Sequence, residues 1–575
     1  MDGTLVFALA ALLAPFVAHR VLRRVQLSLA KHPSLRGHAR MSLRVARLLP
    51  GYTFGEEEAY DADGAPAEVA AARREGLERL SRALTQRSPA SIERTARLRE
   101  SLPDLEFTSA YRVPFPFRDL ARRHLAVGNL VSRSADGELA DLDGRWSIDL
   151  TGAYGVNLFG YDFYKECIDQ GAADARALGP VLGPYHPVVE ENVRRLKEIS
   201  GHDAVSFHMS GTEAVMQAVR LARYHTRRRH LVRFCGAYHG WWDSVQPGVG
   251  NPRPVADTLT LKEMDAATLR VLRTRRDIAC VLVNPLQALH PNGGAPSDAS
   301  LVSGRRGPAV DLDAYRAWLA ALREVCTARG IVLIIDEVFL GFRLALGGAQ
   351  EAFDVRADLV TYGKTVGGGL PIGVVCGRAD LMKRYDDERP ADVCFARGTF
   401  NSHPYVMASM RQFLRRVQSP ARRAEYAGLL ERWDARAAAL NERMERRGFP
   451  IRVTNLASVF TTHYVEPSRY HWMFQYYLRA QGLWPSWVGT GRFIFGHDLT
   501  DARFEEIADR FEAAAGAMAA DGWWWRDAAL TERSIRRRMI REVARALWRR
   551  IAGRGRATPP DGARRDADRI DRRAA

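Results

Sequence analysis

The chain has 575 residues, with 84 Lys plus Arg against 67 Asp plus Glu, a formal net charge of +17, 46% apolar residues and a mean hydropathy of −0.25. That length exceeds one ordinary core, so two or three domains are expected, and the composition describes a globular, mostly soluble chain. The six cysteines include no C-x-x-C pair, which argues against a disulfide framework or a zinc site and favours a reducing compartment.

The charge resembles a nucleic-acid signal until it is mapped. His19 to Pro50 carries eight Lys/Arg and no acid, and Thr531 to Arg556 carries ten Arg against two Glu, so these two segments hold sixteen of the seventeen net charges. The body between them is close to neutral, and no nucleic-acid partner is expected.

In chain order, the first element is the apolar run Leu5 to Ala18, whose 14 residues fall short of the roughly 20 a spanning helix needs. Arginines follow the run rather than precede it, the reverse of a secretory signal peptide. Two readings stand side by side: an interfacial helix or short anchor helped by snorkelling Arg20, Arg23 and Arg24, or a helix packed on the body or a partner subunit. The expected localisation is cytoplasmic, with association to the cytoplasmic face of a membrane through this segment on the first reading.

Amphipathic helical stretches follow, including Ser91 to Leu102, and the two prolines of "YRVPFPF" predict an extended linker. From about Asp141, "DLDGRWSIDLTGAYG" reads as a hairpin or meander. The runs "DIACVLVN", "GIVLIIDE" and "ADLVTYGK" are near-continuously apolar, and a helical segment (Leu312 to Arg329) precedes the second, as in a parallel sheet covered on both faces. After about residue 385 come a long helix over Ala421 to Arg447, a strand pair around "IRVTNLASVFTTHY" and an aromatic helix "YHWMFQYYLRAQGLW", a smaller α+β domain. Trp472, Phe474, Trp484 and Trp487 are readable as core or as the lining of an apolar site. In the basic tail, Ile535, Met539, Val543, Leu547 and Ile551 recur every four residues. This is either a solvated helix clamped on the protein or a helix for a membrane surface or acidic partner. Disorder is expected beyond Thr558.

Four separate pieces carry chemistry. Ser210-Gly211-Thr212 stands between a strand-like run and a helix, where free N–H groups suit a phosphate, although an ordinary N-cap reads the same way. Tyr238 and His239 sit on a loop after an apolar strand, where a Tyr could stack on a flat ring or simply pack. Asp336 closes an apolar strand and needs compensation, which a protonated pyridine nitrogen, a helix cap or a metal would each provide. Lys364 is one of only six lysines in an arginine-written chain and precedes three glycines. It reads either as a snorkelling surface lysine or as a Schiff-base amine whose pKa is pushed down at a strand end.

Taken together and in order, "SGTEAVMQAVRLAR", "YHG", "DEVFLGFR", "YGKTVGGGLPIGVVCG" and "GTFNSHP" resemble the class III pyridoxal-phosphate (PLP) aminotransferases of fold type I over roughly Asp141 to Trp525. The nearest branches by this resemblance are glutamate-1-semialdehyde aminomutase and the aminotransferase domains of lipopeptide and polyketide assembly lines. It implies a large, mostly parallel α/β/α domain and a smaller C-terminal α+β domain, with helical extensions at both ends. The expected division is 1–30, a hydrophobic and basic helix; 31–125, a helical extension; 126–190, the start of the aminotransferase fold; 191–385, the large PLP-binding domain; 386–527, the small domain; and 528–575, a basic helix and tail.

The resemblance further implies that Lys364 holds PLP as a Schiff base and shuttles a proton, that Asp336 pairs with the pyridine nitrogen, and that Val338 and Tyr238 cover the two ring faces. Ser210, Gly211 and Thr212 would hold the phosphate, joined by Thr399 from a second subunit, which makes the expected assembly a homodimer with shared sites. His239 and Gln287 join the cofactor set, and no metal is expected. Tyr154, Asn284 and Arg397 are candidates on the substrate side, and Arg343 also lies close to a motif. Two positions depart from the pattern. Met209 stands where many members have Asn, and Asn284 where many have Glu, removing a charge near the site. Three functions follow: transfer of an amino group from an amino acid to a carbonyl acceptor such as a keto-acyl chain, a semialdehyde-type 2,1-aminomutase, or a catalytically silent protein that binds a membrane or partner. The basic ends would meet a membrane surface or an acidic carrier protein.

Overall fold

The computed structural model describes residues 3–553 apart from 34, 111–112, 252, 254, 287–310 and 487–490, with side chains from residue 14 on except at 36, 107–110 and 553. Gln287, Trp487 and the tail beyond Thr558 lie outside the described residues.

The apolar runs are too short to be buried helices and too rich in Val, Ile and Leu to face water, so they pair. Seven strands form one sheet in the order Ala204–His208, Gly373–Gly377, Leu359–Gly363, Val332–Asp336, Ile278–Val283, His230–Phe234 and Thr258–Leu261. All neighbours are parallel except Gly373–Gly377, which runs antiparallel to both of its partners. Every residue of the five central strands is buried, which requires helices on both faces; Leu312–Arg329 on one side and Gly211–Thr226 on the other are two of them. Asp336 ends one strand opposite Thr361 of the next, and Lys364 follows that next strand directly, so both arrive at the same edge of the sheet.

The meander Val131–Ala135, Glu138–Asp141, Trp146–Asp149 forms as its turns predict and gains a fourth strand, Leu483–Trp484, parallel to the third. Strands Ile451–Leu456, Val459–Tyr464 and Arg492–Ile494 make a small antiparallel sheet. Two details differ from expectation. The long helix is two, Pro420–Glu425 and Leu429–Arg446, because Gly428 takes φ +64 and breaks the ladder. The "PFPF" linker is a 3₁₀ turn over Phe115–Phe117, with the Phe117 ring packed 5.5 Å from Tyr470 and 5.4 Å from Trp472. Of the two readings open for Trp472 and Phe474, the core reading holds, with the two 2% and 3% exposed.

At the two ends, an N-terminal helix (Gly3–Leu29) packs near Ala266–Thr274, and Lys262 N–H donates to Ala30 O at 2.8 Å. No described helix is long and apolar enough to cross a membrane. A C-terminal helix (Glu532–Gly553) is clamped to the body by Glu542, which receives Arg469 at 2.6 and 2.9 Å and the Tyr52 hydroxyl at 2.7 Å.

Candidate active site

The helix after Ala204–His208 begins at Gly211 because Ser210 caps it. The Ser210 backbone is extended and its hydroxyl accepts from Glu213 N–H at 3.2 Å, while the Glu213 carboxylate reaches back to Met209 N–H at 3.0 Å. The N–H groups of Gly211 and Thr212 remain at the positive end of the helix dipole. Gly211 is required there: a Cβ on it would fall 2.5 Å from Val338 Cγ1. On the other side, Gly240 takes φ +91, and a Cβ on it would fall 2.5 Å from the Thr212 hydroxyl oxygen. Three motifs far apart in sequence thus close on one helix start.

Asp336 is 2% exposed. One carboxylate oxygen accepts from His239 Nδ1 at 2.7 Å; the other accepts from Val338 N–H at 3.0 Å and the Thr361 hydroxyl at 3.3 Å. An ionised carboxylate only accepts, so the His239 proton sits on Nδ1, and burial pushes the His239 pKa down, with Asp336 opposing it. His239 Nε2 is buried without a hydrogen-bond partner among the described residues. Among the described residues no group of three or more His, Cys, Asp or Glu could hold a metal ion.

Lys364 is no surface lysine. Its pKa is lowered, by burial first and by the Arg343 charge as well, while Asp336 works the other way. Its ammonium lies 5.5 Å from the centre of the Phe339 ring, and the Arg343 guanidinium lies 5.6 Å from that same ring. Arg343 is fully buried and donates to the Ser458 hydroxyl and, at 2.8 Å, to Phe495 O. A turn presses on the lysine stem: Gly152, Ala153, Tyr154 and Gly155 all have positive φ (51°, 46°, 56° and 98°), and a Cβ on Gly155 would fall 3.2 Å from Lys364 Cδ. Two consecutive non-glycine residues in the left-handed region are a costly arrangement that the packing enforces.

Asn284 is buried, and both ends of its amide are in use, donating to Tyr238 O at 3.3 Å and accepting from Leu286 N–H at 3.2 Å. A glutamate could not make the first of these bonds. Tyr238, Tyr154 and Thr399 are exposed. Arg397 is also exposed and donates to Gly183 O at 3.0 Å. Sequence reasoning missed Thr361, Phe339 and Gly155 as neighbours of the site, because nothing local in their motifs marks them.

Glu337, next to Asp336, is buried, with one oxygen lacking a partner among the described residues and the other accepting from Ala349 N–H, and burial pushes its carboxyl up to about 8. A carboxyl raised in the folded state contributes stability that is full below about 4.5 and lost as pH rises through about 8. Glu337→Gln should therefore flatten the fall in Tm between pH 6 and pH 9, without abolishing it, because Glu263 is raised to about 8 in the same way. An unchanged slope would mean that Glu337 is ionised in the folded chain.

The family model described as "Aminotransferase class-III" matches residues 120–514. The chain belongs to the class III aminotransferases, and it is a PLP-dependent enzyme of the transaminase or aminomutase kind. A glutamate-1-semialdehyde 2,1-aminomutase of Nitratidesulfovibrio vulgaris (strain DP4) is 32% identical over 401 residues, covering 67% of this chain and 90% of that protein. A structure described as "Transaminase with PLP bound" superposes with a TM-score of 0.57 at 27% identity, covering 69% of this chain and 92% of that one. A β-phenylalanine aminotransferase from Variovorax paradoxus has a TM-score of 0.61 at 25% identity, over 78% and 98% of the two chains. The fold is accordingly that of the fold type I PLP transferases.

Proposed function

We propose that the chain transfers an amino group from an amino acid donor to a carbonyl on a weakly polar acceptor, of which a keto-acyl chain is the type. PLP, when bound, supplies the electron sink. The chain's own residues orient it: Gly211 and Thr212 with the Ser210 cap take the phosphate, Tyr238 and Val338 flank the ring, Asp336 held by His239 and Thr361 faces the ring nitrogen, and Gln287 belongs to the same set. Lys364 Nζ is the covalent anchor and then the group that takes and returns the substrate proton. The observation that carries the weakly polar acceptor is that the Lys364 amine looks onto the Phe339 ring, while Asn284 brings no charge.

For a donor carboxylate we propose Arg479. It lies beside the Tyr154 turn, 5.0 Å over the Trp484 ring, and donates to Pro485 O at 3.5 Å. Tyr154 and Arg397 remain on the substrate side of this reading. Thr399 serves a second copy, as its exposure together with that of Phe395, Phe400 and Trp241 on the same chain supports. The arginine-rich ends receive an anionic partner, a membrane surface or an acidic carrier protein, and the charge supports either.

The second reading, a 2,1-aminomutase, is favoured by the name of the 32%-identical relative. Incubation of the loaded enzyme with single amino acids separates them. Transamination releases a keto acid and leaves the pyridoxamine form. Absence of any keto acid, with turnover only of a semialdehyde or diamino compound, would establish the mutase.

A further inference from the structure

The C-terminal helix presents two apolar faces where a helix docked on a protein needs one. Its inner seam is Ile535, Met539, Val543 and Ala546 around the clamped Glu542, with Ile535 completely buried. Its outer face is a second stripe, Ile540, Ala544, Leu547, Trp548 and Ile551, at helical spacing and open to solvent: Ile540 is 68% exposed, Trp548 72% and Ile551 67%. Arg537, Arg541, Arg545, Arg549 and Arg550 are exposed around that stripe, and none of them has an acidic partner among the described residues.

Building on the reading of an anionic partner, we infer that this outer face lies on the surface of a bilayer containing anionic phospholipid. Trp548 and the isoleucines enter at headgroup depth, and the arginines reach the phosphates. The charge along the face is of one sign and sits beside the apolar stripe, which is what a lipid surface complements; a folded protein partner would have to bury the arginines against matched acids. The other end of the chain repeats the chemistry. The N-terminal helix exposes Phe16, Val17, Val21, Leu22 and Leu29 beside Arg20 and Arg24, and neither helix is long and apolar enough to span. A surface-bound enzyme would have its acceptor in the same plane, which suits a keto-acyl substrate.

Flotation of the purified, PLP-loaded full chain with vesicles tests this. Binding to phosphatidylcholine–phosphatidylglycerol vesicles should exceed binding to phosphatidylcholine alone by about tenfold or more at 0.1 M salt, and fall as salt rises. Trp548→Glu and the pair Arg541→Glu/Arg545→Glu should each remove at least about tenfold of that binding while leaving cofactor absorbance and turnover of a soluble donor unchanged. Equal binding by the variants would overturn the assignment of this face. A wild-type chain that ignores anionic vesicles would also overturn it, whether Trp548→Glu then shrinks its oligomer or abolishes capture of an acidic carrier protein. Because flotation reads no substrate, its failure leaves the catalytic reading untouched, and a failed keto-acid assay leaves this one untouched.

Discussion

Lys364→Ala removes covalent attachment of PLP: after loading and borohydride reduction, the wild-type chain gains the mass of one cofactor and the variant gains none, and turnover falls by more than about 10³-fold. The structure makes three of the other five lysines poor substitutes. Lys165 and Lys262 are bound to Asp162 and Asp265 at 2.7 and 2.8 Å, and Lys383 is bound to Asp387. Lys364 is partly buried between Phe339 and the 152–155 turn, and its lowered pKa raises the neutral fraction that can attack a carbonyl. The variant should fold, since it keeps Cβ and loses only the rest of a partly buried side chain. A retained mass gain in Lys364→Ala would assign the anchor to another lysine and defeat the proposed site.

Asp336→Asn should lower kcat by about 10²-fold or more while PLP still attaches to Lys364. The carboxylate accepts three hydrogen bonds, from His239, Val338 and Thr361, so an amide NH₂ placed there would oppose at least one donor as well as remove the negative charge. His239→Gln should give a smaller loss in kcat with KM little changed, as fits a residue that acts through Asp336. Activity of Asp336→Asn within a few-fold of wild type would show that the ring nitrogen does not depend on this charge.

What could be read before the structure was local in origin. Strands announce themselves by short runs of Val, Ile and Leu, and a helix start by Ser210-Gly211-Thr212-Glu213, so the positions of Gly211, Asp336 and Lys364 at the ends of elements followed from the sequence. The broken helix at Gly428 was missed because a glycine inside an apolar period does not say whether it will turn left-handed. His239 was placed in the cofactor set, but its contact with Asp336 spans 97 positions of sequence, and no local pattern encodes such a pairing.

The C-terminal helix shows the same division. The sequence showed a row of apolar residues every four positions, but four residues overshoot a helical turn by about 40°. The row therefore spirals, from buried Ile535 to exposed Leu547 and Ile551. By itself the sequence determined the family and cofactor chemistry through the resemblance of its motifs, and the sheet and the two basic ends through composition and spacing. Only the tertiary structure decided which groups surround Lys364 and which helix face is turned outward. The long-range Glu542–Arg469 pair fixes the rotation of the helix, and the closure of the 152–155 turn on Phe339 fixes the surroundings of the lysine.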